Sequence, residues 1–489
     1  MTIDGVVTRE PSAATQPAHR PKLPAILAAV IAAGLIILMP SPEGLSPAGQ
    51  RTAALFVAAL ILWSTEALPI AVTSLLAIAI QPLLNVSALG PAMTAAMSPV
   101  FFFVLIMFII ALAWTKTGLA RRFAFWMLSK AGTDSKRAVF VFMLGTGALS
   151  TIVSDVPAAA IFLAIALGIF AKLGLRPEQG SNFGKAVMLG IPIAALIGGI
   201  GTPAGSSINL LGLEIIVQQG GARIPFVHWM AIGVPMVLIL LPVAAWVLLK
   251  IYPPEFETIG AMHEIDDERR KIGPITPPEW KLLILMGTML TLWILSSWPA
   301  LFPGVLAPLS NIFLVALLGG CAMFFPGINF FTWREAQQAT GWEVLLLLLA
   351  VTSMGAVSSS SGLAPWLVEA TLGDVAGWPV IEMLVMISVF TVVIHLMLPI
   401  APVINVVMIP PIMILGSAAG PDPVLFALPV IFTASCAFLL PLDAVPLITF
   451  GTGYYKMFDM LLPGTIISIA WVVVMTAMML LVGPMIGLL

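Results

Sequence analysis

The chain has 489 residues, of which 60% are hydrophobic and only 9% are charged. Soluble domains carry charge on about a quarter of their residues, so this composition excludes a water-soluble globular protein and indicates a chain whose solvent is lipid. A formal net charge of −2 removes the electrostatic basis for nucleic-acid binding. Cys321 and Cys436 lie far apart in apolar surroundings and match no disulfide framework or metal spacing.

Apolar runs follow one another along the whole chain after a polar tail at 1–21, which is expected to be cytoplasmic. A membrane-spanning helix needs about 20 mostly apolar residues. By this measure the sequence predicts spans at 24–40, 52–66, 68–86, 99–117, 186–218, 226–250, 281–298, 309–325, 343–362, 423–451 and 460–487. Two longer runs, at 137–171 and 379–413, are interrupted near their middles.

The positive charges indicate how these runs are oriented. Lys and Arg cluster at 116–137, 172–185 and 250–281, and cytoplasmic loops carry an excess of these residues. The run at 137–171 then begins and ends in the cytoplasm, which predicts a re-entrant hairpin instead of a span. The charged linker at 251–280 is expected to be a solvated cytoplasmic connection between two halves.

The second half repeats the order of the first with the opposite sense. A first repeat at 22–250 contains a broken span at 186–218, and a second at 281–489 contains one at 423–451. The hairpin at 379–413 then enters from outside, and the carboxyl terminus lies outside. The sequence thus predicts an all-α polytopic membrane protein with two inverted repeats, about 11 transmembrane helices and two re-entrant hairpins. Inverted repeats with interrupted helices are typical of secondary transporters, whose sites lie where the broken pieces meet.

Two interruptions in the first repeat carry polar motifs. The hairpin breaks at Ser154-Asp155-Val156-Pro157, where a carboxylate at membrane depth is a functional candidate. Capping of the following helix by Ser154 or Asp155 is the alternative. The span at 186–218 breaks at 198–209, reading GGIGTPAGSSIN, which cannot form a continuous helix. Freed carbonyls there can coordinate a hard cation, and the next helix's N–H groups can hold an anion.

The second repeat is interrupted at equivalent places. Its hairpin turns through Pro399 to Asn405, and its broken span passes through Asp443, a second carboxylate at membrane depth. His395 lies just before the hairpin turn. A hydrogen-bonded structural His and a proton relay are both open for it.

These motifs resemble the divalent-anion/sodium symporter (DASS) family. The resemblance rests on FTASCAFLLPLDAVPLITFGTG at 432–453, on 198–209, and on the layout over 22–489. It implies homodimers with scaffold and transport domains. It also implies an elevator-like displacement that couples uptake of di- or tricarboxylates or sulfate to sodium, with exchange in some members.

The chain departs from the family pattern in ways that indicate a divergent member. The family's hairpin tips read Ser-Asn-Thr, whereas here the tips read Ser154-Asp155-Val156 and Ala401-Pro402-Val403. The following breaks usually carry Thr-Pro-Pro-Asn. The first break keeps the Asn, as Asn209, and the second is one residue short and lacks it.

The motifs and the resemblance together give a candidate site. The expected substrate-binding residues are Ser154, Asp155, Val156, Ser206, Ser207, Asn209, Ala401, Pro402, Val403, Ala444 and Val445. The expected cation-coupling residues, where sodium can bind, are Ser154, Asp155, Gly201, Gly205, Asn405 and Asp443. No Lys or Arg falls within the four breaks. Two like charges about 6 Å apart repel by about 3 kcal/mol at an effective dielectric of about 20, so both aspartates should be cation-bound or protonated when an anion is present.

The sequence therefore predicts a secondary-active transporter of a small anion, driven by sodium ions or protons. It predicts no cofactor and no enzymatic activity, and lipid and a second copy of the chain as partners, in the plasma membrane. An exchanger or a transporter of a solute other than a dicarboxylate is the alternative. A channel is disfavoured because no filter repeat occurs, and a membrane enzyme because the four His are scattered.

Overall fold

The computed structural model describes residues 22–259, 270–372, 375, 377–398 and 400–489. The predicted tail at 1–21 and the middle of the linker, at 260–269, lie outside the described residues. In the first half the helices are α1 (Leu23–Leu38), α2 (Pro47–Thr65), α3 (Ile70–Ala79), α4 (Leu89–Ala96), α5 (Pro99–Lys116), α6 (Leu119–Leu128), α7 (Ser135–Val153), α8 (Asp155–Lys172), α9 (Asn182–Gly199), α10 (Ser207–Gln218) and α11 (Phe226–Ile251). In the second half they are α12 (Pro277–Leu295), α13 (Ile312–Ala322), α14 (Trp333–Ala339), α15 (Trp342–Ser360), α16 (Leu363–Leu372), α17 (Val380–Met397), α18 (Ala401–Ala419), α19 (Val424–Thr433), α20 (Ala444–Phe450) and α21 (Leu461–Val482).

Nine helical stretches within the described residues are long and apolar enough to cross a membrane. Three of them, α7, α8 and α18, are arms of the predicted hairpins. Some predicted spans are shorter helices. The run at 68–86 gives only α3, because the chain turns before Pro82, which disfavours helical geometry in the residue ahead of it. The run at 309–325 gives α13, which begins where Asn311 caps its first turn, bent by 91° from the preceding turn.

The same sequence of elements occurs in both halves. In the first, α7 and α8 meet at Ser154, α9 and α10 are separated by residues 200–206, and α11 follows. In the second, α17 and α18 meet at 398–400, α19 and α20 are separated by 434–443, and α21 follows. The equivalent long helices α11 and α21 pack against each other. The predicted class, an all-α membrane protein built of repeated halves, is confirmed.

Each break is held by the span that follows it. In α11, Trp229 Nε1 donates to the carbonyl of Ile200, 2.8 Å away. In α21, Trp471 Nε1 donates to Thr433 Oγ1 over 3.2 Å. One buried tryptophan thus contacts the end of the first helical segment in each half, at a backbone carbonyl in the first and at a side-chain hydroxyl in the second.

Glycines let these spans approach the broken backbone. A methyl group at Gly233 of α11 would overlap the carbonyl oxygen of Ile200, and one at Gly464 of α21 would overlap that of Phe438. Only a residue without a side chain allows this contact. Each half therefore has a close contact between a glycine of the long span and the broken backbone, which the sequence alone did not reveal.

Glu255 and Glu257, at the beginning of the linker, are exposed, yet they also make specific contacts with the first repeat. The Glu255 carboxylate accepts from the backbone N–H groups of Asn182 and Phe183, at the start of α9. Ser135 N donates to the carbonyl of Glu257 over 3.0 Å. A carboxylate that meets the free N–H groups at a helix start is stabilised there, so these linker residues belong to the folded unit.

We predict that the two hairpins open to opposite sides of the membrane. In a background with Cys321→Ser and Cys436→Ala, cysteines at Lys136 and Lys172 should react with an impermeant maleimide from one side. Cysteines at Glu382 and Ser417 should react from the other, because each pair lies at the exposed ends of one hairpin's arms. Reaction of Lys136→Cys and Lys172→Cys from opposite sides would show that 137–171 spans the membrane.

We predict that Gly464→Ala destabilises the protein by about 1–3 kcal/mol, the usual cost of overpacking a fitted core. The added methyl meets the backbone of Phe438, which cannot move without disturbing the break. Gly287→Ala in α12 is the matched control, since a methyl there meets nothing within 4 Å. Thermal unfolding in detergent should show a lower Tm for Gly464→Ala only; equal Tm values for both variants would contradict this packing account.

Candidate functional site

The four interruptions lie together in the fold. The start of α8 at Asp155 and the start of α20 at Ala444 belong to helices that pack against each other, and α20 also packs against α9. Helix α10, which starts at Ser207, packs against α18, which starts at Ala401. The structure thus brings the predicted residues of both halves into one region.

Asp155 is buried and has several hydrogen-bond partners. Ser154 Oγ donates to Asp155 Oδ1 over 3.0 Å, and Ser206 Oγ donates to Oδ2 over 3.1 Å. The backbone N–H of Val156 donates to Oδ1 over 3.1 Å. Ser154 precedes α8 without a side-chain capping bond, and Asp155 is the first residue of that helix. The predicted residues Ser154, Asp155 and Ser206 therefore form one cluster across the first hairpin and the first break.

The glycine-rich break packs tightly against α7. A methyl group at Gly201 would lie 3.0 Å from Thr151 Cγ2, and one at Gly205 would lie 2.5 Å from the carbonyl oxygen of Gly199. Thr202 Oγ1 donates to the carbonyl of Thr151 over 2.8 Å. Packing explains the glycines, while a cation-binding role for Gly201 and Gly205 stays a prediction.

Two buried asparagines each have an oxygen without a partner. Asn209 Nδ2 donates to the carbonyls of Gly199 and Thr202, at 2.8 and 3.1 Å. Asn405 Nδ2 donates to the carbonyl of Ile208 over 3.0 Å, which links α18 to the first turn of α10. Both Oδ1 atoms are buried and have no hydrogen-bond partner in the part of the chain that the structure describes. Leaving such an acceptor unpaired costs about 1–3 kcal/mol, so the two atoms are candidates for a ligand.

Asp443 begins the second half of the site. Its Oδ1 accepts from the backbone N–H of Val445 over 3.2 Å, and its Oδ2 lies 3.9 Å from His395 Nε2. His395 is buried, and neither ring nitrogen has a hydrogen-bond partner among the described residues. Asp443 precedes α20, which packs against α8, the helix that begins at Asp155. Asp443 therefore caps α20, His395 has no hydrogen bond within the described residues, and coupling roles for the aspartates stay a prediction.

The remaining predicted residues differ in how far their side chains are exposed. Ala401, Val403 and Val445 are buried, whereas Pro402 is half-buried and Ala444 exposed. Val156 is 41% exposed. Ser207 is half-buried, and its hydroxyl has no partner among the described residues. The accessible part of the region thus combines the apolar Val156 with partly accessible Ser154 and Ser207 in the first half, and is mostly apolar in the second.

The segment 451–455, which reads GTGYY, has a structural role that the sequence did not specify. Tyr454 Oη donates to the carbonyl of Leu175 over 3.0 Å, and Tyr455 Oη donates to that of Pro446 over 3.1 Å. Burial raises the pKa of the Tyr455 phenol to about 12, so it remains a neutral donor. The motif therefore fixes α20 beside the end of α8.

Sequence reasoning did not single out three other polar groups at the breaks. Thr151 Oγ1 donates to the carbonyl of Gly198 over 3.1 Å. The backbone carbonyl of Thr202 accepts from Asn209 Nδ2. The Ser435 hydroxyl is buried and has no partner among the described residues. A signal for Thr202 and Ser435 existed, since both fall within the interrupted segments. Nothing in the sequence marked Thr151, which lies on α7 before the hairpin tip.

Comparisons with known proteins agree with this architecture. A family model of the sodium:sulfate symporter transmembrane region matches residues 21–489. The sodium-dependent dicarboxylate transporter SdcS of Staphylococcus saprophyticus is 29% identical over 480 residues, covering 93% of this chain and 90% of that protein. A protein of Cupriavidus necator named only as a membrane protein is 27% identical over 440 residues, covering 86% of this chain and 84% of its own.

A solved structure shares the fold. MtrF of Neisseria gonorrhoeae, described as illuminating a class of antimetabolite efflux pumps, has a TM-score of 0.52 at 16% sequence identity, with 93% of both chains covered. Together with the family match over nearly the whole length, this places the chain among membrane transporters: it belongs to the sodium:sulfate symporter family, the divalent-anion/sodium symporters.

Proposed function

We propose that this protein is a secondary-active transporter that couples the uptake of a small anion, of the di- or tricarboxylate or sulfate class, to the entry of cations. The observation that carries this proposal is that Asp155 and Asp443 lie at the starts of α8 and α20, two helices that pack against each other, with no Lys or Arg in the breaks. An anion can approach two carboxylates only after their charge has been neutralised. Cation binding before anion binding is therefore required by the electrostatics of the site.

Sodium is the coupling ion that the first half favours. Hard cations prefer oxygen ligands, and Asp155 lies beside the hydroxyls of Ser154 and Ser206, close to the break that contains the unpaired Asn209 oxygen. The relative SdcS is named as sodium-dependent. Sodium would be a co-transported substrate here, held by Asp155 and its neighbours.

Protons are a second candidate, favoured by one observation in the second half. His395 Nε2 lies 3.9 Å from Asp443 Oδ2, and neither ring nitrogen is hydrogen-bonded within the described residues. A buried imidazole beside a carboxylate can receive and release a proton without a metal ion. His395 and Asp443 would then form a proton relay, while Asp155 keeps a cation.

We further propose an elevator-type movement and a homodimer, which the family resemblance supports. The moving unit would contain the hairpins α7–α8 and α17–α18 together with the broken spans. The earlier helices of each half, α2 and α5 in the first and α12 and α15 in the second, would form the static scaffold. The protein would lie in the plasma membrane with a cytoplasmic amino terminus and an external carboxyl terminus.

We predict that Asp155→Asn reduces sodium-driven uptake of succinate or sulfate into proteoliposomes at least tenfold, because the carboxylate that binds the cation is neutralised. Asp443→Asn should reduce uptake by a comparable factor under whichever gradient, sodium or proton, drives transport through the Asp443 site. Sodium and pH gradients are imposed separately on wild type and on both variants. Asp134→Asn is the matched control, since Asp134 only caps α7 at its exposed start and its loss should leave coupling unchanged.

If both site variants keep wild-type coupling to whichever gradient drives uptake, the two aspartates are structural caps. The proposal would then be wrong in its central point. Measuring the amount of folded protein for each variant separates lost coupling from lost protein.

We predict that His395→Gln abolishes any response of uptake to a pH gradient and leaves the response to a sodium gradient within about twofold of wild type. Glutamine retains polarity but cannot carry a proton between pH 5 and 8. His228→Gln at the start of α11 provides the control, because His228 lies outside the four breaks. A pH response that survives in His395→Gln would exclude the proton relay.

A further inference from the structure

We infer that a cavity beside α6 binds one anionic phospholipid of the cytoplasmic leaflet, with its phosphate at Arg270 and Lys130 and an acyl chain against an aromatic wall. The inference concerns binding alone, so it does not rest on the proposed transport function. The cavity has a volume of about 580 Å³, within the range of about 300–1,000 Å³ that is typical of ligand pockets. Residues of α5, α6, the end of the linker and α12 line it, among them Trp114, Phe123, Trp126, Arg270, Ile275 and Leu283.

The cavity lies at the membrane surface. Gly118, with a φ of 81°, separates the span α5 from α6, a helix of 10 residues that is too short to cross a bilayer. Helix α6 buries Leu119 and Leu128 and exposes Arg121 and Trp126. Amphipathic helices of this kind lie in the membrane interface, where tryptophan is enriched and where lysine and arginine mark the cytoplasmic side.

The wall of the cavity is mostly apolar. Phe123 and Trp126, whose ring centroids are 6.0 Å apart, line it from α6, and Ile275 and Leu283 line it from the region of α12. Trp114 of α5 also lines it, and the buried indole N–H of this residue has no hydrogen-bond partner among the described residues. A buried donor without a partner is costly. An acyl chain would cover the apolar residues, and an ester carbonyl of the same lipid would accept from the indole.

Arg122 holds the cavity together and is not available to a ligand. Its Nε donates to Glu279 Oε1 over 2.7 Å, and its Nη2 donates to Glu279 Oε2 over 2.9 Å. Its Nη1 donates to the carbonyl of Gly273 over 2.7 Å. This ion pair joins α6 to the first turn of α12, and the two opposite charges leave no net charge there.

Two other cations lie at the cavity without a carboxylate partner among the described residues. Arg270 lines the cavity and is exposed. Lys130 Nζ lies 5.7 Å from the ring centroid of Trp126, which belongs to the cavity wall. Basic pockets between spanning helices on the cytoplasmic side bind lipid phosphate groups. A soluble anion would use these two charges and leave the apolar wall uncovered, so the combination favours a phospholipid.

Lipid titrations of the purified full chain test this inference. In dodecyl maltoside, dioleoylphosphatidylglycerol should raise the Tm at a concentration at least fivefold lower than dioleoylphosphatidylcholine requires. The double variant Lys130→Gln with Arg270→Gln should reduce this ratio to within twofold. Lys136→Gln with Arg137→Gln is the matched control and should keep the wild-type ratio, because these two exposed cations belong to the same basic loop and do not line the cavity.

A wild-type ratio within twofold, or an equal loss in both double variants, would overturn the inference. Stabilisation by glycerol phosphate at the same concentration as the phospholipid would overturn it too, since a soluble anion would then suffice. The Tm of each variant without added lipid separates lost binding from lost folding.

A second measurement tests the apolar contact. Trp126→Ala removes a ring that lines the cavity, so the phosphatidylglycerol concentration needed for the same Tm shift should rise at least threefold. Trp280→Ala is the matched control, because Trp280 is 53% exposed, against 48% for Trp126, and does not line the cavity. Unchanged potency in folded Trp126→Ala protein, or an equal change in Trp280→Ala, would contradict lipid binding in this cavity.

Discussion

Backbone N–H and carbonyl groups at membrane depth have no water to bind, so each interruption of a spanning helix must find its partners within the protein. In the first break the Asn209 amide binds the carbonyls of Gly199 and Thr202, and the Trp229 indole binds that of Ile200. In the second half, Trp471 supports the end of α19. The hairpins, the broken spans and the glycines of α11 and α21 are arranged around this requirement. The candidate site lies where the backbone groups of these interruptions find their partners.

The two halves solve the same backbone problem with different side chains. In the first, Asp155 is surrounded by hydroxyl donors from Ser154 and Ser206. In the second, Asp443 has the imidazole of His395 at 3.9 Å and apolar residues around it. Inverted repeats relate the positions of these groups and not their chemistry.

Much of this organisation could be predicted from the sequence, because lipid leaves few alternatives. Glycine, proline and serine at 198–209 cannot continue a helix. Carboxylates at 155 and 443 cost free energy at membrane depth, which marks them as functional candidates. The short helices were not predictable in the same way. The composition of 68–86 suits a full span, yet the chain turns before Pro82, and α6 within the basic loop at 116–137 has too few apolar residues to signal a span.

The sequence by itself determined the class, the repeated order of elements and the identity of the interrupted segments, since hydropathy and helix-breaking residues act locally. Only the tertiary structure decided which groups meet. Asp155 could have been an isolated cap, but Ser206, 51 residues later, donates to it. Asn405 reaches the first turn of α10 across 197 residues, and Glu255 binds the start of α9. Such contacts depend on how helices cross, which hydropathy along the chain does not encode.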